Sequence, residues 1–180
     1  MAADLIVRAL SRQATTGIAT IGPLCLRCGL GASGMTVRKR EGDSATPIGR
    51  WPVLDVLYRP DRLPGLRGTG ALRNARALRA ADGWCDAVGD RNYNRAVRHP
   101  YPASAEMLWR DDQLYDVIVV LGHNHVPRVQ GHGSAIFMHL ARLQDDGELA
   151  PTAGCVALRR RDLTIVLTKL RSGCAVRIIG

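Results

Sequence analysis

Residues 134–158 read SAIFMHLARLQDDGELAPTAGCVAL. The opening run alternates as a strand does, with Ala135, Phe137 and His139 on one face and Ile136, Met138 and Leu140 on the other. His139 therefore stands at a strand end beside an aromatic ring. Sixteen positions later Cys155 follows in the tight turn Thr152-Ala153-Gly154-Cys155. A thiol behind a glycine, with an imidazole on a nearby strand, is the material of an activated sulfur nucleophile. A free thiol titrates near pH ~8.5 and only its thiolate attacks strongly, so the imidazole is expected to take the proton and hold an ion pair with the sulfur. No Asp or Asn has an obvious spacing to orient His139, which leaves the Leu140 backbone carbonyl as the candidate orienter. Gly154 permits a sharp turn, and N–H groups at Gly154 and Cys155 are candidate donors to an oxyanion. The same residue types also fit a buried cysteine after a turn and a core histidine.

Outward from this stretch, the chain reads mostly as strands. Residues 114–121, LYDVIVVL, are apolar on both faces and fit a central strand ending in the turn Gly122-His123-Asn124-His125. Further strands are expected over Asp4–Leu10, Ile18–Cys25, Met35–Arg40 and Trp51–Tyr58, with turns at Cys28–Gly31 and a polar loop from Lys39 to Gly49. Asp162 is the expected N-cap of one helix whose Leu163, Val166, Leu167 and Leu170 share a face, closed by Gly173. Ala175–Ile179 ends the chain as a strand, with Cys174 in the core. A chain of 180 residues is most simply one domain, residues 1–180.

Between Arg59 and Asp112 the periodicity fails. Pro60, Pro64, Pro100 and Pro102 fall here, as do five arginines from Arg62 to Arg79. A stretch this long is either disordered or functional, and Trp84, Tyr93, Tyr101 and Trp109 need something to pack against. Residues 59–112 are therefore expected to form an ordered insertion walling a substrate cleft. Trp84, Tyr93, Asn94 and Arg95 would offer it stacking and hydrogen-bonding groups.

The net charge of +9 is uneven: residues 1–80 carry 13 Lys+Arg against 5 Asp+Glu, and residues 81–180 carry 12 against 11. An arginine-rich half suits an anionic partner, above all carboxylates, which the guanidinium fork binds in two parallel hydrogen bonds. A nucleic-acid-binding module is a remote alternative, since no recognition helix or aromatic RNA motif accompanies the charge. Five cysteines leave at least one unpaired. Cys25 and Cys28 have CxxC spacing with no second pair to complete a zinc site, and read as packing. His123, His125 and His132 lack an HExxH helix, so no metal and no cofactor is expected, and these histidines read as solvated or substrate-lining. No stretch is long and apolar enough to span a membrane. Met1–Arg12 lacks the features of a secretory signal.

His139, then Thr152, Gly154, Cys155 and Val156, resemble the catalytic signature of the L,D-transpeptidases, the YkuD-type enzymes of bacterial cell-wall assembly. Lys39-Arg40-Glu41-Gly42-Asp43 with Thr46-Pro47-Ile48-Gly49 is similar to the segment ahead of that family's catalytic half. Trp84-Cys85-Asp86, Tyr93-Asn94-Arg95, Leu114-Tyr115-Asp116 and Gly133–Phe137 are similar to a compact branch. Ala153, Ala157 and Leu140 depart from the common His, Arg or Asn, and Gly of the family.

The resemblance implies a YkuD-like β-sandwich of mixed sheets, with one main helix after the cysteine and a long irregular insertion. It also implies Cys155 as nucleophile and His139 as general base and acid. Peptidoglycan stem peptides would be donor and acceptor, joined through a diaminopimelate side-chain amine in 3–3 links or, from L-Ala, 1–3 links. Trp84, Tyr93, Asn94, Arg95, Tyr115, His123, Asn124 and Thr152 are the implied substrate contacts. The enzyme would act in the periplasm or cell envelope, and carbapenems would acylate Cys155. The alternative on the same fold is a cysteine-dependent peptidoglycan hydrolase or carboxypeptidase, with water replacing the amine.

Overall fold

Runs of Val, Ile and Leu broken by glycine turns give short strands. A computed structural model of the chain describes residues 4–64, 66 and 73–180. The strands are β1 (Leu5–Arg8), β2 (Thr16–Ile21), β3 (Leu24–Gly29), β4 (Met35–Thr36), β5 (Thr46–Pro47), β6 (Gly49–Tyr58) and β7 (Arg76–Ala77). There follow β8 (Asp82–Cys85), β9 (Arg95–Arg98), β10 (Ala105–Met107), β11 (Val117–Leu121), β12 (Phe137–Leu140), β13 (Val156–Leu158) and β14 (Ala175–Ile179). The helix α1 (Arg160–Lys169) lies between the last two strands.

The main sheet has nine strands in the order β11-β12-β13-β3-β2-β1-β14-β6-β7. Because β6 also pairs with β11, the sheet closes on itself. Pairs β12/β13, β1/β14 and β6/β7 are parallel and the other pairs of this sheet antiparallel. The result is the mostly β, mixed-sheet sandwich that the resemblance implied, with one helix among the described residues.

Alternation sorts the side chains of β11, β12 and β13 into two buried layers. Val117, Val119, Leu121, Met138, Leu140, Val156 and Leu158 join the main core, together with Leu163, Val166, Leu167 and Leu170 from α1 and its C-terminal end. Ile118, Val120, Phe137 and Cys155 face the other way. They form a second cluster with Leu57, Leu78, Leu108 and Tyr115, against which Trp84 and Trp109 pack. A strand covered on both faces needs apolar residues at every position, which is why residues 117–121 show no alternation. Each large side chain so buried contributes about 1.5–3 kcal/mol.

Several boundaries differ from the sequence reading. Ile18–Cys25 is not one strand: Gly22-Pro23 forms a two-residue hairpin loop between Ile21 and Leu24, with Gly22 at φ 56. Glycine at the first central position supplies the positive φ such loops require. Met35–Arg40 stops at Thr36, whose Oγ1 accepts the Arg38 N–H at 3.0 Å and turns the chain. Residues 114–116 belong to a turn, where Asp112 accepts the Leu114 N–H and Gln113 lies at φ 64. Ala135 lies at φ 50, so β12 begins at Phe137. The helix is capped by Arg159, without a side-chain cap, and Asp162 sits within its first turn, where a carboxylate favours the helix dipole. It ends at Leu170, and Gly173 (φ 82) serves the turn into β14 instead.

The Arg59–Asp112 stretch includes residues 65 and 67–72, which lie outside the described residues, as do Met1–Ala3 at the start of the chain. Its described part contains a three-stranded antiparallel sheet, β10-β8-β9. These strands are three or four residues long, too short for alternation to register. Among the described residues, Arg27, Arg50, Arg59, Arg62, Arg76, Arg110 and Arg160 pair with carboxylates. Arg59 pairs with Asp61 at 2.7 Å and lies 3.8 Å over the Trp109 ring. Arg62 and Arg160 share the buried Asp116 at 2.9 and 2.5 Å. Arg38 and Arg40 make no ion pair among the described residues.

Candidate active site

Parallel pairing of β12 with β13 sets His139 opposite Ala157 and Met138 opposite Val156. Facing positions in a parallel pair point the same way, so His139 and Cys155 emerge on one face, one pleat apart. Together they line a cavity of about 250 Å³, shared with Tyr115, Glu106, Arg110, Thr152 and Ala153. Each is only 7% exposed.

The imidazole is oriented by one backbone contact. His139 Nδ1 lies 2.8 Å from the Leu140 carbonyl oxygen. A carbonyl only accepts, so Nδ1 carries the hydrogen and Nε2 keeps its lone pair. The Tyr115 ring stands edge-on to the imidazole at 5.2 Å. Burial pulls the His139 pKa down to about 4, against the smaller opposing pull of the Leu140 carbonyl.

Cys155 is held from several sides. Its Sγ accepts the Phe137 N–H at 3.3 Å and lies 3.4 Å from the Ala135 carbonyl, to which the thiol donates. Its own carbonyl accepts from Thr152 Oγ1 at 2.7 Å and from Thr46 Oγ1 at 3.5 Å. Gly154 lies at φ 130, and a Cβ there would come within 2.8 Å of the Ala45 carbonyl, so only glycine fits. The Gly154 N–H donates to Thr152 Oγ1 at 3.1 Å, which commits to the turn a group the sequence offered to an oxyanion.

Burial pushes the thiol up to about 12, with Glu106 adding to the rise and the Phe137 N–H and Lys39 ammonium opposing it. The dyad at rest is a neutral thiol beside a neutral imidazole. The ion pair expected from the sequence is absent because two desolvated charges cost more than this site returns.

The segment Lys39–Pro47 braces this arrangement from below. Buried Lys39 pairs with Asp43, whose carboxylate also accepts the N–H groups of Arg40 and Ala45 at 2.8 and 2.9 Å. The Lys39 Nζ lies 3.4 Å from the point a Gly154 Cβ would occupy.

A model of the L,D-transpeptidase catalytic domain matches residues 11–178. The chain belongs to the L,D-transpeptidase (YkuD) family. No curated protein matches it. Members of the L,D-transpeptidase family are cysteine-dependent enzymes that modify peptidoglycan, a polymer of the cell envelope. No helix among the described residues is long and apolar enough to cross a membrane.

The structure divides the residues singled out from the sequence into three groups. Cys155, His139, Tyr115 and Thr152 share the cavity, with Gly154 behind it and the Leu140 carbonyl on the imidazole. His123 and Asn124 line a separate recess of about 410 Å³ with Trp51, Lys39, Arg38 and Arg40. There His123 is buried against Trp51 at 4.7 Å, and its Nε2 donates to the His132 carbonyl at 2.9 Å. His125 faces Arg128 instead, and no group of three or more His, Cys, Asp or Glu among the described residues could hold a metal.

Trp84, Tyr93 and Asn94 form a third group, behind the site. Tyr93 is fully buried and donates to Glu41. Asn94 is 4% exposed and its amide saturates four neighbours: Trp84 Nε1, the Ala135 N–H, and the carbonyls of His123 and Asn124. Asn94 thereby braces Ala135, whose carbonyl holds the thiol. Arg95, its neighbour in β9, is exposed.

Sequence reasoning passed over Glu106 and Arg110, which face Cys155 from the insertion. The only signal was an acidic residue inside an arginine-rich stretch. Cys28 is buried in the main core and Cys25 exposed on the sheet.

Proposed function

We propose that this chain is a peptidoglycan L,D-transpeptidase that works through a thioester on Cys155. His139 Nε2 takes the thiol proton as sulfur attacks a stem-peptide carbonyl, then gives it to the departing amine. In the second half, the side-chain amine of a diaminopimelate on another stem attacks the thioester. Nε2 receives a proton from that nitrogen and returns it to the leaving sulfur. Residues 1–180 act as one catalytic unit, with the insertion walling the cleft through Glu106 and Arg110. The donor bond follows diaminopimelate, giving 3–3 links, or L-Ala, giving 1–3 links. A carbapenem acylates the same sulfur.

The observation that carries this reading is the shared cavity. One thiol and one imidazole, oriented by the Leu140 carbonyl, open into the same space on adjacent parallel strands of a family whose chemistry depends on cysteine. Incubation with purified muropeptides followed by mass spectrometry tests it. Cross-linked dimers formed by the wild type and absent with Cys155→Ala are expected. Hydrolysed stems without dimers would replace the transferase by a hydrolase.

A further inference from the structure

Among the described residues, Glu106 is the one acidic residue lining the cavity that holds Cys155 and His139. It stands on β10, and its Oε1 accepts the Tyr115 hydroxyl at 2.6 Å. Oε2 accepts no hydrogen bond among the described residues. Arg110 comes no closer than 3.9 Å and is committed to Asp112, both of whose carboxylate oxygens it engages. The Glu106 side chain keeps 28% of its surface open. It is thus a carboxylate fixed at one oxygen and open at the other, on the nucleophile's own cavity.

At rest this placement is unfavourable. A negative charge here opposes formation of the Cys155 thiolate. A carboxylate set against a nucleophile calls for a purpose at another stage of the reaction. Once Cys155 is acylated the thiolate is gone, and the carboxylate meets the acceptor instead.

That acceptor arrives carrying one proton too many. A primary alkylamine is an ammonium ion at neutral pH, with a reference pKa of about 10.4 for the lysine amine, and has no lone pair with which to attack. Turning an ammonium into an amide nitrogen removes two protons. One goes through His139 Nε2 to the leaving sulfur. Nδ1 is held by Leu140, so the imidazole has no second site for the other. That proton passes either to solvent or to a side chain within reach of the acyl group.

Resting on the transpeptidase reading, we propose that Glu106 binds the acceptor's ammonium group and takes its surplus proton. R–NH3+ and the Glu106 carboxylate give R–NH2 and the carboxylic acid. The amine then attacks the thioester carbonyl, a C–N bond forms, and the C–S bond breaks. His139 carries the remaining proton from nitrogen to sulfur, and Glu106 releases its own to solvent. The groups facing Glu106 fit this task. Tyr115 stays protonated and donates, and Asp86 and Asp112 add negative charge that favours a cation, against the opposing charge of Arg110 and of Arg142 on the cavity wall. Burial raises the Glu106 pKa from the ordinary carboxylate range, toward a value at which it can receive a proton.

Glu106→Gln tests the proposal, since the amide keeps an acceptor for Tyr115 and loses the charge. Acyl-enzyme formation on Cys155 is followed by intact mass. Its discharge is measured with an alkylammonium acceptor and, separately, with hydroxylamine, which is neutral at pH 7. The variant is expected to acylate at least as fast as wild type, because the charge that opposes the Cys155 thiolate is gone, and to discharge to hydroxylamine no more slowly. Discharge to the ammonium acceptor is expected to fall about 100-fold at pH 7 and to recover as pH approaches the amine pKa. Unchanged discharge to the ammonium acceptor, or equal losses with both nucleophiles, would overturn the proposal while leaving Cys155 its role. A wild-type enzyme never acylated at Cys155 would overturn the underlying reading, and the proposal with it.

Discussion

The two faces of β12 and β13 use neighbouring residues for opposite ends. The inner face, with Met138, Val156 and Leu158, packs against α1 in the main core and carries no polar group. The outer face, one residue out of phase, carries Phe137, His139 and Cys155 beneath a covering made by residues 73–112. The inner face is buried by the fold itself; the outer face is buried by an insertion that also brings Glu106 and Arg110. Burial stabilises on the inner side. On the outer side it holds a thiol and an imidazole in their uncharged forms, at a cost to stability outside neutral pH.

The contrast is sharpest at the cysteine. Cys155→Ala is expected to abolish cross-linking, by a factor of about a thousand or more, while chemical denaturation shows a stability change of about 1 kcal/mol or less. Leu158→Ala, three residues along on the inner face, is expected to do the reverse. A cavity in the main core costs about 2–5 kcal/mol by the same denaturation assay, with turnover per folded molecule retained. Equal effects of both substitutions on stability would break the comparison.

A pH titration probes the outer face alone. His139 titrates at about 4 in the folded protein against an ordinary value near 6.5. The unfolded chain therefore binds the extra proton first, and stability falls as pH drops from about 6.5 to about 4, then levels. The loss is ~3 kcal/mol at most. Urea denaturation across this range in wild type and His139→Gln measures it, and the variant is expected to lack this part of the slope. Thr152→Val should have the smallest effect. It leaves the Gly154 N–H and the Cys155 carbonyl short of a partner and costs about 1–2 kcal/mol, read as a lowered melting temperature.

The strands and helix around the site were legible because their side chains repeat with a regular period. His139 and Cys155 were legible because both lie within one strand-turn-strand segment. Leu140 was reached by elimination, since a backbone carbonyl leaves no residue signature. Glu106 was not legible, because its approach to Cys155 depends on how three short strands of the insertion fold back over the sheet. Asn94 and Tyr93 were legible as important but not in what they do. Their polar groups are spent on Ala135, Glu41 and the 123–124 turn, long-range partners that spacing does not disclose.

Cross-linking by this chain is expected to pass through a covalent bond to one sulfur. Rapid acid quench of the enzyme with a stem-peptide donor, followed by intact mass and peptide mapping, reads that bond directly. It should show one acyl group on Cys155, discharged on adding an amine acceptor as cross-linked product appears. Cross-linked product with no acyl-enzyme, or an acyl group on Cys25, Cys28, Cys85 or Cys174 in place of Cys155, would contradict it.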